Sequence, residues 1–151
     1  MTSRAITILQ TIKKQDEYGT PKELFNQACL KYKINPLVDV CASKFNHVLP
    51  NYITKEQNSL GFEWNFDFFL NPPYSEVKTF VGHAYKSFLK YNVNALILTY
   101  AKTDTKFWHQ FVEGKAETHF IEGRIKFLNE FGLPTKNSAP YPSCWIIYRS
   151  V

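Results

Sequence analysis

The chain has 151 residues, enough for one domain with a sizeable core, and its hydrophobic content of 44% with 17% aromatics argues against a disordered chain. No run approaches the about 20 apolar residues of a membrane helix, and Ala5-Ile6-Thr7-Ile8-Leu9 is too short an apolar piece for a signal peptide. The formal charge of +5, from 15 lysines and three arginines, suits a polyanionic partner, but the cations are spread along the chain and form no block.

Residues 1–15 read as an N-terminal extension that a helix would suit, and 1–151 as one domain. Thr20-Pro21-Lys22-Glu23 predicts a helix start, with Thr20 as N-cap, Pro21 at the first helical position and Glu23 closing a capping box. Leu24, Ala28 and Tyr32 then recur at helical spacing. Leu37 to Cys41 predicts a strand, followed by the small residues Ala42 and Ser43. Residues 44–60 are polar and irregular, with room for a short helix. Cys29, Cys41 and Cys144 form no CxxC pattern, so reduced thiols in a cytoplasmic protein are expected. His47, His83, His109 and His119 show no metal-ligand spacing, and no metal is expected.

Phe66 to Leu70 predicts a buried strand that Pro72-Pro73 stops abruptly. Ser75 is placed to cap a helix whose apolar face is Val77, Phe80, Val81, Ala84, Phe88 and Leu89. Val93 to Tyr100 predicts a strand. Thr105 is placed to cap a helix containing Phe107, Trp108, Phe111 and Val112. Thr118 to Ile121, Ile125 to Leu128 and Cys144 to Arg149 predict the remaining strands, with Pro134, Pro140 and Pro142 in the loop before the last. Strand–helix alternation of this kind predicts an α/β sheet.

Asn71-Pro72-Pro73-Tyr74 therefore falls at the carboxyl end of a strand, where open α/β sheets bind ligands. The tetrapeptide resembles the catalytic motif of the amino-methyltransferases, which move a methyl group from S-adenosylmethionine to an exocyclic or side-chain nitrogen. An adenine amino nitrogen is a poor nucleophile, because its lone pair is delocalised into the ring. Two acceptors gripping its hydrogens, the Asn71 side-chain oxygen and the Pro72 carbonyl, would draw it towards tetrahedral geometry and carry the developing positive charge. Tyr74 would stack on the base. As a bare pattern, Asn-Pro-Pro is also an ordinary turn.

From Asp16 to Arg149 the chain resembles the small phage-type DNA adenine-N6 methyltransferases, a Dam-like group. The matching blocks are Asp16-Glu17-Tyr18-Gly19-Thr20-Pro21, Val38-Asp39-Val40-Cys41-Ala42-Ser43, Tyr52-Ile53-Thr54-Lys55-Glu56 and Asn71-Pro72-Pro73-Tyr74. Further on come Ala101-Lys102-Thr103-Asp104-Thr105, Phe107-Trp108-His109, Ile121-Glu122-Gly123-Arg124 and Ala139-Pro140-Tyr141-Pro142-Ser143. The resemblance implies a Rossmann-like methyltransferase fold, S-adenosylmethionine as donor and DNA adenine as acceptor, flipped from the duplex or single-stranded. It places Tyr18, Thr20 and Pro21 at the methionine end of the cofactor, and Asp39, Cys41, Ala42 and Ser43 where the first strand meets it. It places Asn58 on the cofactor's adenine amino group. Thr103, Asp104 and Arg124 would lie on the DNA side, Arg124 pairing with a phosphate. Outside that context, Thr-Pro is a plain helix start and Asp39 a strand-end cap.

Two departures stand out. The chain has no G-x-G cofactor loop, and the short stretch from Asp39 to Asn71 leaves little room for two full crossovers, so a compact, trimmed sheet is expected. No membrane partner is expected. The same tetrapeptide would also suit an RNA adenine or protein glutamine methyltransferase, and the missing glycines would suit a decayed DNA-binding protein on the same fold.

Overall fold

The structure is a computed structural model that describes residues 19–151; the extension expected over 1–15 lies outside them. One sheet contains β1 (Val38–Ala42), β2 (Asn51–Thr54), β3 (Phe68–Leu70), β4 (Ala95–Tyr100), β5 (Glu117–Phe120) and β6 (Ser143–Tyr148). Their order is β2-β1-β3-β4-β6-β5. The first four neighbours are parallel, and β6 runs antiparallel to β4 and to β5. The α/β class expected from the alternation is present, as a six-stranded, mostly parallel sheet.

Both faces of the sheet are covered, which is why its central strands read as unbroken apolar runs. Phe68, Leu70, Ala95, Ile97, Cys144, Ile146 and Tyr148 point to one face. There they meet Phe80, Val81 and Ala84 of the helix α2 (Val77–Tyr91). Phe69, Leu96, Leu98, Trp145 and Ile147 point to the other, against Phe25 and Ala28 of the helix α1 (Lys22–Tyr32). The period of two along each strand sorts these residues between the layers.

The trimming is visible in the crossovers. Residues 43–50 join β1 to the parallel β2 with no helix, although such a step ordinarily needs a dozen residues or more. The Asp39 carboxylate holds this short path by accepting the Val48 N–H at 3.1 Å. Between β2 and β3 the chain makes two 3₁₀ turns, Lys55–Gln57 and Ser59–Gly61, then buries Trp64 completely against Phe68. One indole covers sheet that a crossover helix would otherwise cover.

Several expectations are corrected. α1 begins at Lys22 with Pro21 as N-cap and no side-chain cap, because the Thr20 hydroxyl is engaged elsewhere, by Asn71. Ser75 lies inside a 3₁₀ turn, Tyr74–Glu76, and does not cap α2. Leu89 is 63% exposed, since the inward stripe of α2 passes through Ser87 and Phe88 instead. The helix expected after Thr105 is present over 106–112, with its last five residues, Trp108–Val112, π-helical, but Thr105 does not cap it with its side chain and bonds back to the Lys102 carbonyl at 2.7 Å. β2 was not expected at all. Among the described residues Ile125 to Leu128 makes only isolated bridges, from Leu128 to Gly19 and to Pro134, and Pro134 has no N–H with which to extend the ladder.

Candidate functional site

The strand order reverses at β1. The chain moves outward to β2 and then returns to β3 on the other side of β1, so a crevice opens between the carboxyl ends of β1 and β3. This is the topological switch point at which open α/β sheets bind ligands. A pocket of about 570 Å³ occupies it, within the range of small-molecule and cofactor sites.

Three strand ends and the segment leading into α1 build the walls. β1 supplies Asp39, Cys41 and Ala42, and Ser43 follows its end. The segment after β2 supplies Lys55, Glu56, Asn58 and Ser59, the segment after β3 supplies Asn71, Pro73 and Glu76, and Gly19 and Thr20 close the side. In a regular strand Asp39, Val40 and Cys41 would not share one cavity. Here the pairing of β1 with β2 slips by one residue between Asp39 and Ala42, a bulge that re-aims these side chains.

Asp39 is buried, and its Oδ1 has no hydrogen-bond partner among the described residues. Burial pushes its pKa up to about 6, against the opposing pull of the Val48 and Cys41 amides and the charge of His47. Burial also raises the Cys41 thiol well above its usual range, with the Asp39 and Glu76 charges adding to the effect. Cys41 therefore stays protonated and serves as a small apolar wall, since only the thiolate is a nucleophile.

The absence of a G-x-G loop has a backbone explanation. β1 runs into a turn closed by Ser43 N–H to Asn46 O at 3.0 Å and Asn46 N–H to Ser43 O at 3.2 Å. No described residue there has positive φ, so the turn does not call for glycine. Glycine is required instead at Gly19, where an added Cβ would lie 2.5 Å from Asn46 Cγ. Asn58 sits at φ 51° between the two 3₁₀ turns, a left-handed conformation that asparagine tolerates well.

A second, shallow cleft of about 20 Å³ is lined by Asn71, Pro72, Tyr74, Val77, Thr99, Tyr100 and Phe127. Asn71 lines both spaces and stands between them. Its Nδ2 donates to the Thr20 hydroxyl at 3.0 Å, which fixes the amide plane and hence the position of Oδ1. Tyr74 packs edge-on to Tyr100 at 5.4 Å and parallel to Tyr141 at 6.1 Å. The Lys102 ammonium donates to the Tyr74 hydroxyl at 2.5 Å and lowers its pKa, with the Tyr141 hydroxyl contributing.

Of the residues singled out in the sequence, Thr20, Asp39, Cys41, Ala42, Ser43, Asn58, Asn71 and Pro73 converge on the larger pocket, and Pro72 and Tyr74 on the cleft beside it. Pro21 opens α1 and lines neither space. Thr103, Asp104 and Arg124 are exposed and also line neither. Tyr18 lies outside the described residues. Sequence reasoning missed Gly19, Glu56, Lys102, Tyr100 and Tyr141. Glu56 was legible in principle, because Tyr52-Ile53-Thr54 before it has strand composition.

The family model described as DNA N-6-adenine-methyltransferase (Dam) matches residues 9–151. A protein of Haemophilus phage HP1 (strain HP1c1) named DNA N-6-adenine-methyltransferase is 32% identical over 117 residues, covering 76% of this chain and 68% of that relative.

Proposed function

Because the chain belongs to the Dam family of DNA N-6-adenine-methyltransferases and so methylates the exocyclic amino group of DNA adenine, we propose that the larger pocket holds S-adenosylmethionine and the cleft beyond Asn71 receives the target base. The observation that carries this division is that Asn71 borders both spaces. A group there can grip an amino nitrogen on one side while a methyl donor lies on the other.

The residues fit the donor. S-adenosylmethionine supplies a methyl group activated by a sulfonium, along with an ammonium, ribose hydroxyls and an adenine. The buried Oδ1 of Asp39, without a partner among the described residues, suits the ammonium. Glu56, just beyond the end of β2, is placed for the ribose hydroxyls, the role an acidic residue after the second strand plays in related nucleotide-binding sheets. Asn58 is the acceptor for the adenine amino group. No thiolate or covalent enzyme intermediate takes part. Asn71 Oδ1 and the Pro72 carbonyl would hold the two hydrogens of the target amino group; as the new N–C bond forms, the methyl's bond to sulfur breaks with its electron pair left on the sulfur, and the cationic nitrogen then releases one proton to solvent. Tyr74 stacks on the base, which reaches the cleft flipped or unpaired.

Nucleoside mass spectrometry of unmethylated DNA incubated with the protein and S-adenosylmethionine tests the reading. N6-methyldeoxyadenosine is expected. Its absence across duplex and single-stranded DNA and a range of salt concentrations would count against it.

The raised pKa of Asp39 yields a pH prediction. In the free protein Asp39 is protonated below about pH 6, whereas a bound ammonium favours the carboxylate and lowers that pKa. Cofactor affinity is therefore full above about pH 6 and falls as the pH drops below it. Calorimetric titration from pH 5 to 8 should show this loss at the acid end in the wild type. Asp39→Asn should bind weakly with a flat profile, and an equally flat wild-type profile would remove Asp39 from the ammonium site.

A further inference from the structure

The larger pocket is acidic, in a chain whose formal charge is +5. Four carboxylic acids line it, Asp39, Glu56, Glu76 and Glu130, against two lysines, Lys44 and Lys55. One of the four, Asp39, is 3% exposed and keeps an oxygen without a partner among the described residues. Glu76 alone belongs to the segment that carries Asn71. Its N–H donates to the Pro73 carbonyl at 3.0 Å, closing the turn Tyr74–Glu76 that continues the Asn71-Pro72-Pro73-Tyr74 motif. Although Glu76 stands at the N-terminus of α2, its side chain makes no capping hydrogen bond there and lines the pocket instead.

The strand register brings this carboxylate to the end of the pocket that Asn71 borders. Val38 pairs with Phe68 and Asp39 with Phe69, and two more steps of the parallel register set Cys41 level with Asn71. The Glu76 carboxylate lies close enough to Cys41 for its charge to raise the thiol pKa. Cys41, Asn71 and Glu76 therefore meet at one end of the pocket they all line. A methyl group passing to a nitrogen held at Asn71 must start within about 3–3.5 Å of it, so the sulfur that carries the methyl belongs at this same end.

We propose that Glu76 is a specificity-determining residue that makes the pocket prefer a cationic sulfonium donor over the neutral thioether left after transfer. S-adenosylmethionine and S-adenosylhomocysteine share the ammonium, carboxylate, ribose and adenine, and differ in the methyl group and the charge on sulfur. Groups that hold the shared parts cannot tell the two apart, whereas a carboxylate facing the sulfur can. When the methyl leaves, its bonding pair stays on sulfur and the positive charge there disappears. The attraction to Glu76 then ends, which favours exchange of product for fresh donor. The inference rests on the assignment of this pocket to S-adenosylmethionine.

The test is calorimetric titration of wild type, Glu76→Gln and Asp39→Asn with S-adenosylmethionine and, separately, with S-adenosylhomocysteine. Glu76→Gln keeps the size of the side chain and removes its charge. It should weaken S-adenosylmethionine on the order of five-fold, as for one unit charge near contact distance in water, and change S-adenosylhomocysteine by less than about two-fold. Asp39→Asn, which meets the ammonium that both ligands carry, should weaken both by the same factor and leave their ratio at the wild-type value. A Glu76→Gln variant that weakens the two ligands equally, or weakens neither, would overturn the proposal. Wild-type protein that binds neither ligand would overturn the assignment of the pocket instead. The readout is a ratio of two affinities within one variant, so a general loosening of the site does not move it.

Discussion

Replacing Asn71 with alanine is expected to lower kcat by about 10²–10³-fold or more, the loss typical of removing one preorganised dipole from a reacting centre. Asn71 is the one side chain among the described residues that lines both the larger pocket and the cleft. Its oxygen is held in place by the hydrogen bond from Nδ2 to buried Thr20. Alanine removes the acceptor that draws the amino nitrogen out of conjugation and faces its developing charge. It leaves the other walls of the pocket intact, so cofactor affinity should change by only a few-fold. Asn71→Asp keeps an acceptor oxygen and should retain more activity than the alanine variant. Single-turnover methylation at saturating donor, paired with cofactor titration, checks both expectations. Turnover near the wild-type rate in Asn71→Ala would remove this residue from the reaction, whereas a large loss of cofactor binding would make it a donor-site residue.

Trp64→Ala should destabilise the fold by about 3–5 kcal/mol, the usual cost of truncating a fully buried large aromatic. The indole has no exposed surface and packs edge-on to Phe68 at 4.8 Å and to His83 at 4.4 Å. Its Nε1 donates to the Ser59 carbonyl at 2.9 Å. Ser59 and its neighbours Asn58 and Leu60 line the larger pocket. The cavity left by alanine would lie under one wall of the donor site, so cofactor affinity should fall together with stability. Trp64→Phe keeps most of the volume and loses the N–H bond, and should cost markedly less. Urea unfolding followed by circular dichroism, with and without S-adenosylmethionine, measures both effects. A loss below about 1 kcal/mol in Trp64→Ala would mean that the loop does not depend on this anchor.

Trp64 also shows where local reading stops. An exposed-looking stretch between Lys44 and Leu60 contains a four-residue strand whose side chains are mostly half-buried, so no clean alternation marks it. The missing crossover helices were legible as a shortage of residues between Asp39 and Asn71, but their replacement by two 3₁₀ turns and one indole was not. Thr20 illustrates a different limit. Its local context, Thr-Pro-Lys-Glu, has every mark of a capping box, yet its hydroxyl serves Asn71, 51 positions away in the chain. A capping bond contributes only about 1 kcal/mol, so a tertiary partner readily displaces it.

Local sequence determined the apolar strands β3, β4 and β6, the amphipathic α2 and the placement of Asn71-Pro72-Pro73-Tyr74 at a strand end. Each of these depends on periodicity or on proline stereochemistry within a few residues. The ordered blocks from Asp16 to Ser143 were sufficient to point to the family. Tertiary structure alone decided that Asp39 is buried with one oxygen that has no partner among the described residues, that Glu56 lines the pocket, and that Lys102 rests beside Tyr74 and Tyr141. Those relations join segments far apart in the chain. They arise when the sheet closes and both its faces are covered, and burial and charge then act on residues whose neighbours in sequence carry no trace of them.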